Sequence, residues 1–212
     1  MNTRLVGCAL GLAILITTNA NAQVDVGVTP SALVSFQPID DAYVGSPYLS
    51  EGIGGLGPGL SGGFNVITAK GFVVGAEYTT AWFEQEQSGR LVLGGFPLES
   101  IPATTKLRDS MIGILAGYAT SGSTRIAFLG GVGARLDRTT IDGVEAEKYD
   151  NDEEGELLPI TGGVDVMRSL SSRAQFVISG RYTYNQRHTR LQYLGIGPHI
   201  IRAGAGVRIR LN

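Results

Sequence analysis

The chain has 212 residues, with 17 Lys and Arg, 19 Asp and Glu and a single cysteine, for a formal net charge of −2. That balance gives no support to a nucleic-acid partner, and one cysteine excludes an internal disulfide framework. No run reaches the roughly 18 apolar residues of a membrane helix, yet 31 glycines and recurrent period-two alternation leave open a closed barrel, which also satisfies its backbone in lipid.

Residues 1–22 read as a secretory signal peptide. Arg4 precedes an apolar run from Leu5 to Ile16, and Ala20-Asn21-Ala22 sets small residues where signal peptidase inspects, so cleavage is expected before Gln23. Leu5-Val6-Gly7-Cys8 matches a lipobox in pattern, but Cys8 precedes most of the apolar run it should follow, and lipidation is not expected. Removing Arg4 with the leader leaves 16 basic and 19 acidic residues, a net of −3, and no cysteine.

Residues 23–212 divide into eight alternating segments. The first, about 24–36, sets Val26, Val28, Ala32, Val34 and Phe36 in phase. The second, about 54–68, does so with Leu56, Leu60, Phe64 and Val66. The third, 72–86, has an outward set of Phe72, Val74, Ala76, Tyr78, Thr80 and Trp82. Ile112, Ile114, Ala116 and Tyr118 face out from the fourth, 108–120. Ile126, Phe128, Val132, Ala134 and Leu136 do so from the fifth, 124–141. The sixth, 157–170, shows Leu158, Ile160, Val164 and Val166; the seventh, 173–188, shows Phe176, Ile178, Tyr182 and Tyr184. In the eighth, 199–211, Ile201 to Leu211 alternate with Arg202, Gly204, Gly206, Arg208 and Arg210. An apolar face backed by arginines fits a barrel wall, greasy toward lipid and polar toward its lumen.

Tight connections at 69–71, 121–123 and 171–172 alternate with long ones at about 37–53, 87–107, 142–156 and 189–198. Short periplasmic turns and long external loops are how an outer-membrane barrel is threaded. Trp82, Tyr78, Tyr182, Tyr184 and Phe36 gather at the outer strand ends and Phe72 and Tyr118 at the inner ends, an aromatic girdle at each interface. Pro30, Pro58 and Pro159 fall in proposed strands, where each removes a ladder donor; a bulge, or a later start of the first strand, would absorb this.

The signal, the glycine-punctuated hairpins and the terminal Gly204-Ala205-Gly206-Val207-Arg208-Ile209-Arg210-Leu211 resemble the small eight-stranded outer-membrane barrels: the OmpA-type transmembrane domain and its opacity-protein and OmpX-like relatives. The resemblance spans the mature chain. It implies an all-β, up-and-down transmembrane barrel in the outer membrane of a Gram-negative bacterium, surrounded by lipid and lipopolysaccharide and inserted by the barrel-assembly machinery. That machinery reads a terminal aromatic in the family; Leu211 and Asn212 stand there in this sequence. No peptidoglycan-binding domain is expected after the barrel.

By phase, Glu77, Arg125, Arg135, Asp137, Asp165, Arg173, Arg181, Arg202 and Arg208 point inward. An eight-stranded lumen is narrow enough for side chains to fill, so these charges are expected to pair across it, with Glu77 and Asp165 neutralising Arg181 and Arg202 at mid-depth. The alternative is a gate in which those acids switch partners. Segment 142–156 carries eight acids and one lysine. Asp150, Asp152, Glu154 and Gly155 imitate part of a calcium loop, but Thr161 stands where the bidentate acid belongs, so a solvated loop is expected. His188 and His199 flank the last external loop without an acidic orienter nearby in sequence, and no catalytic set is expected. The reading is a non-catalytic barrel with a structural or surface-interaction role, without cofactor, metal or nucleic acid. The alternatives are a narrow channel and a lipid-A-modifying enzyme.

Overall fold

The computed structural model describes residues 24–39, 53–93, 96–136, 138–141, 143–145, 158–185 and 197–211. The expected leader lies outside them. The strands are β1 (Asp25–Gln37), β2 (Gly55–Ile67), β3 (Phe72–Leu93), β4 (Phe96–Ala119), β5 (Thr124–Arg135), β6 (Arg138–Ile141), β7 (Val144–Glu145), β8 (Ile160–Ser169), β9 (Ala174–Tyr184) and β10 (His199–Arg210). Each of β1, β2, β3, β4, β5, β8, β9 and β10 pairs antiparallel with the next, and β10 returns to β1, so eight strands close a ring. The fold is an all-β, up-and-down barrel. Among the described residues no helix is long and apolar enough to cross a membrane.

Alternation decides which face each residue takes. Val34, Leu60, Trp82, Ile112, Phe128, Val166, Ile178 and Ile201, one from each ring strand, are all exposed on the outer wall. Arg181, Arg202, Arg208, Asp109 and Asp165 are buried inside. The lumen is not polar throughout. Ile67, Val73, Ala119, Ala127, Met167 and Val177 pack together inside it, as do Leu33, Ile53, Ala81, Phe83 and Leu107. A lumen this narrow must be filled, and apolar side chains from alanine to phenylalanine fill the space the ion pairs leave.

The three short turns lie at one end. Gly71, at φ 88°, takes the left-handed conformation the first turn needs, and its N–H donates to Thr68 O at 2.9 Å. Thr120 Oγ1 accepts from the Ile126 N–H at the second turn, and Ser171 Oγ accepts from the Ala174 N–H at the third. The seam between β1 and β10 closes beside them, where the Leu211 N–H donates to Val26 O, while on the β9 side the Arg210 N–H donates to Arg173 O, both at 2.9 Å.

Several expectations are corrected. Segment 87–107 is no open loop: β3 and β4 stay paired to Leu93 and Phe96, with a register shift between Leu91 and Val92. The fifth segment breaks at Leu136, and β6 then pairs with β4 beyond the point where β5 stops. Part of the acidic segment is also structured, since Val144 and Glu145 form β7 against β6. Pro30 causes neither a bulge nor a late start. It faces Gly62 on β2, and the β1–β10 register runs on unchanged from Val28↔Ile209 to Ser31↔Gly206. The missing donor costs only the pairing between those two points. Pro58 lies just before the β2–β3 ladder opens at Gly59, and Pro159 precedes β8.

Candidate functional site: the charged lumen

Three tiers of charge cross the lumen. Nearest the short turns, Asp25 at the start of β1 meets β10. Arg208 Nη1 donates to Asp25 Oδ1 at 2.7 Å and to Gln175 Oε1 at 3.1 Å, and its Nε donates to Asn65 Oδ1 at 2.7 Å. Arg125 Nη1 and Arg210 Nε approach Asp25 Oδ2 at 3.1 and 3.4 Å. Two oxygens of one carboxylate therefore serve three guanidinium groups.

In the middle tier Arg181 holds two acids. Its Nη1 donates to Asp165 Oδ1, while its Nη2 donates to Glu77 Oε2 at 2.9 Å and to Asp165 Oδ2 at 3.1 Å. Gly163 makes room, because a Cβ there would stand 2.6 Å from Arg181 Cδ. Between the first two tiers lies a cavity of about 40 Å³, room for a few water molecules at most.

The far tier turns on Asp109, whose side chain is wholly buried. It accepts from Arg135 Nε at 2.7 Å on one oxygen and from Arg202 Nη2 at 2.8 Å on the other. Arg202 Nη1 also donates to Thr183 Oγ1 at 3.3 Å.

The expected inward set is thus partly redrawn. Arg181 takes both Glu77 and Asp165, while Arg202, its register partner on the next strand, turns to Asp109. Arg173 is exposed in the turn before β9 and is not a lumen residue, because the inward phase begins only with that strand. Asp137 lies outside the described residues. Asp25 and Asp109 are the acids that sequence reasoning missed. A signal existed, since each alternates with outward apolar neighbours: Val26 and Val28 for the first, Ile112 and Ile114 for the second.

On the outer wall Tyr78, Trp82, Tyr118, Tyr182 and Tyr184 are all exposed. Near the short turns Phe72 and Tyr118 meet edge to face, ring centres 6.1 Å apart. At the other end the Tyr182 hydroxyl lies 2.7 Å from His199 Nδ1, and the Tyr184 ring is 5.4 Å from the same imidazole. His199 is therefore engaged between two wall tyrosines, whereas His188 lies outside the described residues.

A glycine controls the first tier. Arg208 crosses β1 at Gly27, where a Cβ would stand 2.6 Å from its Cζ and Nε. The guanidinium is the end of a flexible side chain, but buried bonds to Asp25, Asn65 and Gln175 hold it in place. Gly27→Ala should therefore lower the refolded protein's stability by about 1–3 kcal/mol, read as an earlier urea midpoint. An unchanged midpoint would mean that Arg208 does not lie over Gly27.

The chain is a closed eight-stranded β-barrel with an apolar wall and an ion-paired lumen. Solved structures similar to it include outer-membrane proteins. Ail, the attachment invasion locus protein of Yersinia pestis, solved with the heparin analogue sucrose octasulfate, is 10% identical, with a TM-score of 0.49 over 89% of this chain and 99% of its own. Neisserial surface protein A is 13% identical, with a TM-score of 0.49 over 90% and 99%. The outer membrane protease OmpT from Escherichia coli is 10% identical, with a TM-score of 0.39 over 92% and 98%. No protein-family model and no curated protein matches the sequence. At these identities neither ligand nor activity transfers from the likeness, and the fold stands on the strand pairing itself.

Proposed function

We propose that this protein is a non-catalytic outer-membrane barrel with a structural or surface-interaction role. It would be exported by a signal peptide at residues 1–22, inserted by the barrel-assembly machinery and embedded in outer-membrane lipid and lipopolysaccharide. The observation that carries the reading is the pairing of a continuous apolar outer wall with a lumen spanned by Asp25–Arg208, Arg181–Glu77–Asp165 and Arg135–Asp109–Arg202. An apolar surface running round a whole wall far exceeds what a water-soluble monomer exposes, and lipid covers it. Charges held in pairs across a filled lumen favour a plug over a pore. The aromatics at both strand ends suit the two membrane interfaces.

Two measurements test this reading. Refolded protein in planar bilayers should give no steady, porin-sized current; a reproducible one would replace the plug with the channel reading. Expression should leave the mass of lipid A unchanged; a shift abolished by His188→Ala or His199→Ala would make the protein an enzyme.

Orientation has its own expected result. Tags inserted at Asp150 and Gly122 should differ on intact cells, Asp150 accessible and Gly122 hidden. Equal labelling of both would end the assignment of short turns to the periplasm.

A further inference from the structure

The mouth of the barrel beside the short turns carries more positive charge than its partners neutralise. It opens into a vestibule of about 730 Å³ lined in part by Asp25, Lys70, Arg125 and Arg210, with the hydroxyl-bearing Thr120 and Ser121 beside them. Three cationic side chains thus face one carboxylate. That carboxylate is already shared with Arg208, which reaches it from deeper in the lumen at 2.7 Å. Among the described residues the Arg125 side chain donates only through Nη1, to Asp25, and it remains 25% exposed, which leaves its second terminal nitrogen for a ligand. Arg210 Nε lies 3.4 Å from Asp25, and its Nη1 donates to Ser172 O at 3.3 Å.

Arginine presents several donors in a fixed fork and is only weakly hydrated, so two such groups with spare donors and net positive charge suit an oxyanion of more than one charge. The vestibule is open to solvent at one side, so a ligand could reach them without disturbing the ladder. Neighbouring hydroxyls would supply further donors to a tetrahedral group.

We infer that the short-turn mouth of the barrel is a binding site for a phosphate group, held by Arg125 and Arg210 with Lys70 at its rim. This goes beyond the proposed role, which would stand without it. Two sources share this chemistry: a soluble phosphate compound, and the headgroup of an anionic phospholipid reaching in from the adjoining leaflet.

The test uses refolded protein in neutral detergent micelles at constant ionic strength. Titration calorimetry with inorganic phosphate forms one arm, and micelles doped with short-chain phosphatidic acid form the other. Saturable binding is expected in at least one arm, weakened tenfold or more in Arg125→Gln/Arg210→Gln. Binding of inorganic phosphate assigns the site to a soluble ligand; binding of phosphatidic acid alone assigns it to a headgroup. Lys70→Gln, in an exposed turn, should weaken binding severalfold, and it keeps the test decisive should the double variant fail to show the heat-shifted mobility of a folded barrel. Absence of saturable binding in both arms would overturn the inference, as would equal affinity in the wild type and all variants.

Discussion

Replacing Asp109 with alanine should destabilise the refolded barrel by about 3–5 kcal/mol, the cost of leaving buried charge without its partner. Among the described residues Asp109 is the one carboxylate in contact with both Arg135 and Arg202, and the side chains of all three are at most 9% exposed. Truncation strips both guanidinium groups at once. Val164→Ala is the matched control: Val164 is on the outer wall, 37% exposed, and its truncation removes only contact outside the barrel. Urea unfolding followed by heat-shifted mobility should separate the two clearly. A smaller loss for Asp109→Ala than for Val164→Ala would mean that the far tier is solvated rather than buried.

The middle tier should behave differently, because Arg181 has two acids and either can serve alone. Glu77→Ala and Asp165→Ala should each cost about 1.5–3 kcal/mol, the range for one charged hydrogen-bonded contact. Glu77 should fall at the lower end, since its side chain is 17% exposed against 11% for Asp165. The double variant should exceed the sum of the singles by about 1–3 kcal/mol, a coupling expected where two groups share one partner. Strict additivity would show that the two carboxylates do not act on the same guanidinium.

Period-two alternation made the faces legible because the side-chain period of a strand is fixed by its backbone: once Ile201 and Val207 face outward, Arg202 and Arg208 must face inward. What alternation cannot supply is height. Two inward residues meet only when strand tilt and register bring them to the same level. That is why Arg181 and Arg202, register neighbours on adjacent strands, reach different carboxylates. It is also why Asp109, 93 positions from Arg202, could not be matched to it by phase.

The β3–β4 extension was hidden for a different reason. From Glu84 to Arg90 charged, amide and small residues interrupt the apolar alternation, so the segment reads as loop although its backbone stays paired. Without apolar residues at every second position, the sequence loses the contrast that marks a strand.

The seam between β1 and β10 has a kinetic consequence. Asp25 and Arg208 are 183 positions apart, and they belong to the first and last strands of the ring. Every other pairing around the ring joins strands that follow one another along the ring, but the β1–β10 pairing that Asp25 and Arg208 span must wait for the final hairpin. Loop-closure entropy for so long a span is met in a single late step, and contacts this distant slow folding as a rule. Asp25 and Arg208 therefore act as a clasp engaged at the end of assembly. A chain cut short before β10 would hold an open sheet with two raw edges, and no amount of correct pairing elsewhere could close it.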